Sequence, residues 1–429
     1  MCYAIPGRIV SLNGKKAVVD YFGERRTVRA DFTDLTVGDY VYAQGGFVVD
    51  KIDASDALPI LEQWKDTFFQ LALRDAELAR TTDKRHEGEF AQILSQAEDG
   101  SSLSHEQIAR LLNANLAEQG LLFGAANRLR HAHLKNACCV HGIIEFSNIC
   151  INDCLYCGIR HSNEKLSRYR LSVDEIVDIA VHAVKKHGFR ALVLQSGEDI
   201  AYSTDDFVNI IQNIKKQCGV LLFMSVGCRD LECYTRMYHA GARGVLLRFE
   251  TSNLSLYSRM HKGAKSDFSA RLELVRHAKK SGYLIATGSI IGLPGQTEID
   301  LANDILLAKS LGADMYSFGP LIPHPDTPLN EIKPVDVRMV LKMIATSRLV
   351  DPDATILVTS ALETLDRQGR RSGLLSGANS LMINITPSRQ RALYSIYPRR
   401  TDSLTVEENI DSTIELLHEL GRAPTDLGR

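Results

Sequence analysis

The chain has 429 residues, longer than one typical domain, so two or three units are expected. Hydrophobic residues make up 45%, charged residues 24%, and the net charge is -2, which describes an ordinary globular protein with no electrostatic call for a nucleic-acid or membrane-surface partner. No apolar stretch reaches the ~18 residues of a spanning helix, and the start of the chain, with Arg8, does not read as a signal peptide. Nine cysteines in that setting argue for a reducing cytoplasm and for metal chemistry over disulfides.

Residues 1 to about 50 read as short strands separated by turns. Arg8-Ile9-Val10 and 17–21 flank Asn13-Gly14, a hairpin signal, and further strands are expected over 25–30 and 40–43, with a bend at Gly45-Gly46. This spacing predicts a small β-barrel. Asp53 or Ser55 then caps a helix through Leu58, Leu61, Trp64 and Phe68. The polar stretch 81–89 reads as a linker between a domain over 1–80 and a second over 90–429. Ser104 with Gln107 forms a capping-box pattern for a later helix.

After residue 141, apolar runs alternate with amphipathic helices. Strands are expected near 142–146, 191–195, 220–225, 244–249, 284–291, 313–318, 354–359 and 380–385. About eight β/α units over some 250 residues predict an α/β fold of the (β/α)8 (TIM) barrel type, with a doubly wound sheet as the competing topology. Polar residues and glycines recur at successive strand ends, where such a barrel places its chemistry.

The loop after the first of these strands holds Cys150, Cys154 and Cys157 in the spacing C-x3-C-x2-C, with Tyr156 directly before the last. A closed structural zinc site uses four ligands, whereas three thiolates suit a centre that keeps a position open, such as a [4Fe–4S] cluster with one free iron. A zinc or disulfide site borrowing a distant fourth cysteine is the alternative. The spacing with Tyr156 resembles the cluster motif of the radical S-adenosylmethionine (SAM) enzymes. The resemblance implies that the free iron chelates the amino and carboxylate groups of SAM. It also implies that an electron from the cluster cleaves the sulfonium to a 5′-deoxyadenosyl radical. An open cluster of this kind is oxygen-sensitive, so an anaerobic cytoplasm is its natural setting.

SAM makes physical demands that assign provisional roles. Its amino group needs an acceptor, which Glu198 or backbone near Gly197 supplies, and its carboxylate needs a cation, for which Arg271 is the candidate. Glu250 accepts from a ribose hydroxyl or the amino group, and Gly288, Gly292 and Gly295 permit close backbone approach. Surface salt bridges and helix–strand packing are the plainer accounts of the same residues.

The strings Ile143 to Arg160, Leu194 to Asp199, Gly292 to Thr297, and Gly319 to Pro328 resemble the [FeFe]-hydrogenase maturation radical-SAM enzymes of the HydE type. Gly377-Ala378-Asn379, Thr386-Pro387 and Tyr394 to Pro398 complete a resemblance over roughly 90–425, in strings that biotin synthase mostly does not share. It implies a complete barrel with one cluster and SAM at one mouth, an internal substrate cavity and an external electron donor. Gln195, Ser225, Glu250 and Arg271 would contact SAM, with Tyr156, Gly197, Glu198, Arg248 and Gly292 in the same cofactor-binding set. Tyr397 would sit near the adenosyl group, and with Tyr394 and Thr359 forms the expected catalytic set. Some members carry a second cluster just after the Tyr-Pro string. Here that stretch begins Arg399-Arg400 and no cysteine lies beyond Cys233, so no second cluster is expected there. Cys138, Cys139, Cys218, Cys228 and Cys233 are expected to be structural thiols.

Cys2, Pro6-Gly7, Val37-Gly38-Asp39 and Gly46-Phe47 resemble the HypC-type chaperones of [NiFe]-hydrogenase maturation, small β-barrels with a C-terminal helix. The resemblance implies that Cys2 binds an iron carrying cyanide and carbon monoxide. That family's histidine ahead of Gly-Phe is replaced by Gln44, a poorer ligand, so a docking domain is the competing role. The whole reads as a cytoplasmic maturase acting on a cysteine-bound iron carbonyl cyanide complex, with other hydrogenase maturation proteins as candidate partners. A methylornithine-synthase-type amino-acid mutase and a non-catalytic metal-complex carrier are the alternatives.

Overall fold

The computed structural model describes residues 4–31, 34–80, 88–262, 267–398 and 404–425. Cys2, most of the expected linker and the stretch 399–403 lie outside these described residues.

Five strands close the small barrel: β1 (Gly7–Asn13), β2 (Lys16–Tyr21), β3 (Glu24–Arg29), β4 (Tyr40–Gln44) and β5 (Phe47–Ile52). The β1–β2 hairpin turns at Gly14-Lys15, and Gly14 takes the left-handed φ of 58° that such a turn requires. Alternation buries Ile9, Ala17, Val19, Tyr21, Val28, Val41, Ala43 and Val48 on one inner face. The strand β5, absent from the sequence reading, follows the Gly45-Gly46 turn and pairs antiparallel with β4. Helix α1 (Ala54–Arg80) then presents Trp64, Phe68 and Leu71 to Ile5 and Ala423, while Leu58 of the expected apolar face stays exposed.

Next come helices Glu89–Glu98, His105–Leu112 and Leu116–Leu134. The predicted capping box is present: Ser104 Oγ accepts from the Gln107 N–H and Gln107 Oε1 from the Ser104 N–H. The remaining strands are β6 (Cys139–Ser147), β7 (Ala191–Ser196), β8 (Leu221–Ser225), β9 (Gly244–Leu246), β10 (Leu284–Thr287), β11 (Ile290–Ile291), β12 (Met315–Tyr316), β13 (Gly319–Pro320), β14 (Thr355–Val358) and β15 (Ser380–Asn384). Eight of them close a second, all-parallel barrel in the order β10-β12-β14-β15-β6-β7-β8-β9, while β11 and β13 form a short separate ribbon. The large barrel is the predicted TIM-type fold, and the doubly wound sheet is excluded by its closure.

The small barrel stoppers the large one at the N-terminal ends of its strands. Phe47 and Val49 enter one apolar cluster with Ala191, Val193, Leu221, Phe223, Ala286, Met315 and Leu357. Gly45 is required there, because a Cβ would stand 2.9 Å from Leu221 and 3.0 Å from Leu284. Arg190, just ahead of β7, pairs with Asp50 at 2.9 Å and lies over the Tyr42 ring at 3.9 Å. On the flank, Asp75 of α1 is fully buried between Arg130 (2.7 Å), Arg422 (3.2 Å) and His131 (2.7 Å). Burial alone raises its carboxyl, but His131 and the two guanidinium groups together hold it below its ordinary value.

Candidate active site

The cysteine loop leaves the C-terminal end of β6 and is held in place by its own backbone. Arg168 donates to the carbonyls of Asn148 (2.7 Å), Ile159 (2.8 Å), Arg160 (2.6 Å) and Asn163 (3.1 Å). Asn148 donates to Ser167 O and Leu393 O, both at 2.9 Å, and Asp153 takes Arg160 at 2.7 Å. Gly197 lets the next strand end lie against the loop, since a Cβ there would stand 2.3 Å from Ile149 O and 2.9 Å from Cys150 Cβ. Tyr156 donates its hydroxyl to His261 Nε2 at 2.9 Å, because His261 Nδ1–H is engaged with Tyr257 O at 2.9 Å.

The three thiols line a cavity of about 1050 Å³ at this mouth of the barrel. Burial pushes Cys157 up to about 12 and raises Cys154 and Cys150, and for Cys154 and Cys157 mutual repulsion adds to it. Two ion pairs face them across the cavity. Arg271 meets Glu198 at 3.4 Å and donates to Arg248 O at 3.0 Å; at 7% exposure each, Arg271 and Glu198 are not a surface salt bridge. Arg248 pairs with Glu250 at 2.8 Å, and Glu250 holds φ at 70°, a strained value for a residue with a Cβ. The strain is sustained by backbone bonds on both sides, Glu250 N to Gly288 O and Ile290 N to Glu250 O.

Tyr156, Gln195, Gly197, Glu198, Ser225, Arg248, Glu250, Arg271, Thr359, Tyr394 and Tyr397 all line this one cavity with Cys150, Cys154 and Cys157. Gly292 is absent from its lining: its N–H donates to Gln296 Oε1 at 2.7 Å and a Cβ there would meet Val335. Gly288 packs against Ser317 backbone, so close packing of loop segments accounts for both glycines. Ser225 Oγ donates to Gln195 Oε1 at 3.3 Å, and Tyr397 OH stands 2.6 Å from Ser360 Oγ. Burial, with the Glu145 charge adding to it, holds Tyr394 as a neutral phenol. The lining also includes Glu145, bonded to Asn384 at 2.8 Å, and Arg370 and Arg391, none of which the strand-end pattern singled out. Cys138, Cys139 and Cys233 are buried and Cys218 and Cys228 half-buried, none of them in a disulfide among the described residues. No helix among the described residues is long and apolar enough to cross a membrane.

Three family models match the chain: HupF/HypC over residues 1–64, the Radical SAM superfamily over 144–308, and the Biotin and Thiamin Synthesis associated domain over 317–423. The [FeFe] hydrogenase maturase subunit HydE of Thermotoga maritima is 40% identical over 304 residues, 71% of this chain and 86% of that protein. The chain belongs to the HydE family of radical SAM enzymes. The 3-methylornithine synthase of Methanosarcina acetivorans is 30% identical over 76% of this chain and 91% of that one. The crystal structure of methylornithine synthase (PylB) superposes with a TM-score of 0.70 at 25% identity, covering 78% of this chain and 98% of that chain.

The superfamily implies an iron–sulfur cluster and SAM, and the cavity fits both. Among the described residues no three Cys, His, Asp or Glu side chains are grouped as ligands of a single metal ion, the arrangement a closed zinc site needs. Thiols that each meet a different iron of a cluster stand wider apart than that. Arg271 Nε and Thr359 Oγ1 are buried without a hydrogen-bond partner, unsatisfied groups suited to a polar ligand.

Proposed function

We propose that Cys150, Cys154 and Cys157 hold one [4Fe–4S] cluster and that the chain is a maturase in [FeFe]-hydrogenase active-site assembly, built from domains over 1–80 and 90–429. The observation that carries this reading is the three thiols and two buried, oppositely charged pairs lining one cavity at the C-terminal mouth of the barrel. When bound, the cluster and SAM supply reductive cleavage of the sulfonium to a 5′-deoxyadenosyl radical, with the electron from an external donor. The chain's own residues do the rest. Arg271 receives the carboxylate of SAM and Glu198 its amino group, so that a zwitterion takes over partners that otherwise meet each other at 3.4 Å. Glu250, braced by Arg248, accepts from the ribose, while Gln195, Ser225 and the Gly197 backbone complete that wall. Thr359, Tyr394 and Tyr397 face the substrate, and Ile143, Leu246, Leu357 and Met382 keep water from the floor.

The substrate on this reading is a cysteine-bound iron carbonyl cyanide complex, as the resemblance to the HydE-type maturases implies; the name of the relative that is 40% identical supports only the maturase role. Anaerobically reconstituted protein should release 5′-deoxyadenosine with such a complex and consume it; release without its consumption contradicts the assignment. A second reading, an amino-acid mutase, draws on the methylornithine synthase relative and on Arg391, a further cation on the cavity wall able to take a substrate carboxylate. Turnover with an amino acid alone, lost in Arg391→Ala, would select it.

In the N-terminal module, Gln44 is buried at the joint between the barrels with its amide 2.6 Å from Cys139 Sγ. The side chain that replaces the family's histidine is therefore turned to the barrel, which supports a docking role for the module. Infrared spectra of full-length protein and its Cys2→Ser variant, exposed to an iron cyanide–carbonyl donor, test the carrier alternative: bands lost in the variant would establish it.

A further inference from the structure

The loop that carries the three thiols leaves the barrel at Ser147, the last residue of β6, and returns at Arg170, which bridges back to Ser147. Both ends converge on one carboxylate just past the end of β7. Ser147 Oγ donates to Asp199 Oδ2 at 2.7 Å, and Arg170 spans both oxygens with Nε and Nη2, each at 2.6 Å. The Ala201 N–H adds a bond to Oδ1 at 3.2 Å. Asp199 is 1% exposed. Burial pushes its carboxyl up, but Arg170, Ser147 and the Ala201 N–H outweigh that and hold it below its ordinary value.

Asp199 follows Glu198 directly, and the backbone around this pair is stitched to the same loop. Gly197 N–H donates to Ser147 O at 2.9 Å, and Ile151 N–H, beside Cys150, donates to Glu198 O at 3.1 Å. From the loop after β8, Arg229 donates to Asp199 O at 2.5 Å. A Cβ on Gly227 would stand 2.0 Å from Glu198 Cγ, so the Glu198 side chain lies across that glycine on its way to Arg271. Asp199 is not part of the cavity lining, so it acts through Glu198. A zwitterion on an open iron needs its amino-group acceptor fixed relative to the thiols, to within about 0.5 Å in a preorganised site. A two-bond guanidinium–carboxylate fork supplies that fixity, because it sets orientation as well as distance.

We propose that Asp199 is a positioning residue for SAM: by clasping both ends of the thiol loop it fixes the acceptor Glu198 beside the cluster. The proposal rests on Glu198 receiving the amino group of SAM. The plainer role of the same contacts is to staple the loop shut, and the experiment separates the two.

The test uses the full-length chain, reconstituted anaerobically, in calorimetric titrations with SAM and with 5′-methylthioadenosine, which lacks the amino-acid part of SAM. Asp199→Asn keeps the volume but turns an amide donor onto other donors. It should retain about four irons per chain. It should weaken SAM about tenfold or more and leave 5′-methylthioadenosine unchanged. Glu198→Gln should also weaken SAM, and the double variant should match Glu198→Gln alone to within about twofold. Adding Glu250→Gln to Asp199→Asn should instead multiply the two losses. If Asp199→Asn does not hold the cluster, Arg170→Lys decides by the same titrations, since lysine cannot form the fork. Four results would each overturn the proposal while leaving Glu198 its role: unchanged SAM affinity in Asp199→Asn at full iron, equal loss of both ligands, fully multiplied losses of Asp199→Asn and Glu198→Gln, or loss of iron in both Asp199→Asn and Arg170→Lys. Unchanged SAM affinity in Glu198→Gln would remove Glu198 from SAM, and the proposal with it.

Discussion

A buried thiol surrounded by other thiols is a poor anion: burial raises both Cys154 and Cys157, and Cys157 and Cys150 add to it for Cys154 and Cys150 for Cys157. Their deprotonation needs a cationic partner, which is the physical reason to expect metal at this place. Iron quantification after anaerobic reconstitution should give about four irons per chain, falling to near none when the three cysteines are changed to Ala; a count close to eight contradicts a single cluster. Arg271→Ala and Glu250→Gln should each weaken SAM binding by about 2–5 kcal/mol while leaving the cluster's absorption intact, because each leaves a buried opposite charge unpaired. Unchanged affinity in both would make these pairs structural. The gathering of the three cysteines at the barrel mouth was legible from spacing alone, since thiols on one short loop are a local pattern. Arg168 was not, because its partners are four carbonyl oxygens, which leave no mark in side-chain identity. Gly292 is ambiguous for the opposite reason: its φ of 92° serves a turn packed on Val335, and a glycine needed for a turn looks the same in sequence as one needed for a ligand.

At the scale of elements, the eight barrel strands stand where apolar runs placed them, because strands covered by helices on one side and packed inside on the other read as continuous hydrophobic segments. The strand β5 is hidden behind Gly45-Gly46, which marks a bend in sequence although the chain there reverses and pairs. The capping box at Ser104 was legible because both of its bonds are local. A feature that no periodicity reveals is Asp304, on the helix Glu298–Ser310, which accepts from the Ser252 N–H at 2.6 Å and anchors the segment after Glu250. Burial pushes its carboxyl up to about 7 against the pull of the Ser252 hydrogen bonds. A raised folded-state value means the stabilisation is complete below the unfolded value of about 4 and is lost as pH rises through about 7. The thermal midpoint should therefore fall as pH rises from about 4 to about 7, and Asp304→Asn should flatten that slope. The difference is worth up to about 4 kcal/mol at the alkaline end, from three units of about 1.4 kcal/mol each. An equal slope in parent and variant would assign the pH dependence to other groups.

For the whole molecule, the placement of the small barrel was the least legible feature, because it rests on contacts between residues far apart in sequence. Asp75 with Arg130 and Arg422, Phe47 among the barrel-floor side chains, and Gln44 on Cys139 each join segments that no local pattern connects. Asp75→Asn should cost about 3–5 kcal/mol in urea unfolding, since it strands two buried guanidinium groups. A loss below about 1 kcal/mol would mean that water reaches them. The central chemistry lies at the other mouth. Its most direct test is 5′-deoxyadenosine production by the anaerobically reconstituted chain, given SAM and a strong one-electron reductant. The account predicts 5′-deoxyadenosine from the parent and none from the variant with Cys150, Cys154 and Cys157 changed to Ala. A parent that carries its full iron and binds SAM yet releases none, or a variant that releases as much as the parent, would contradict it.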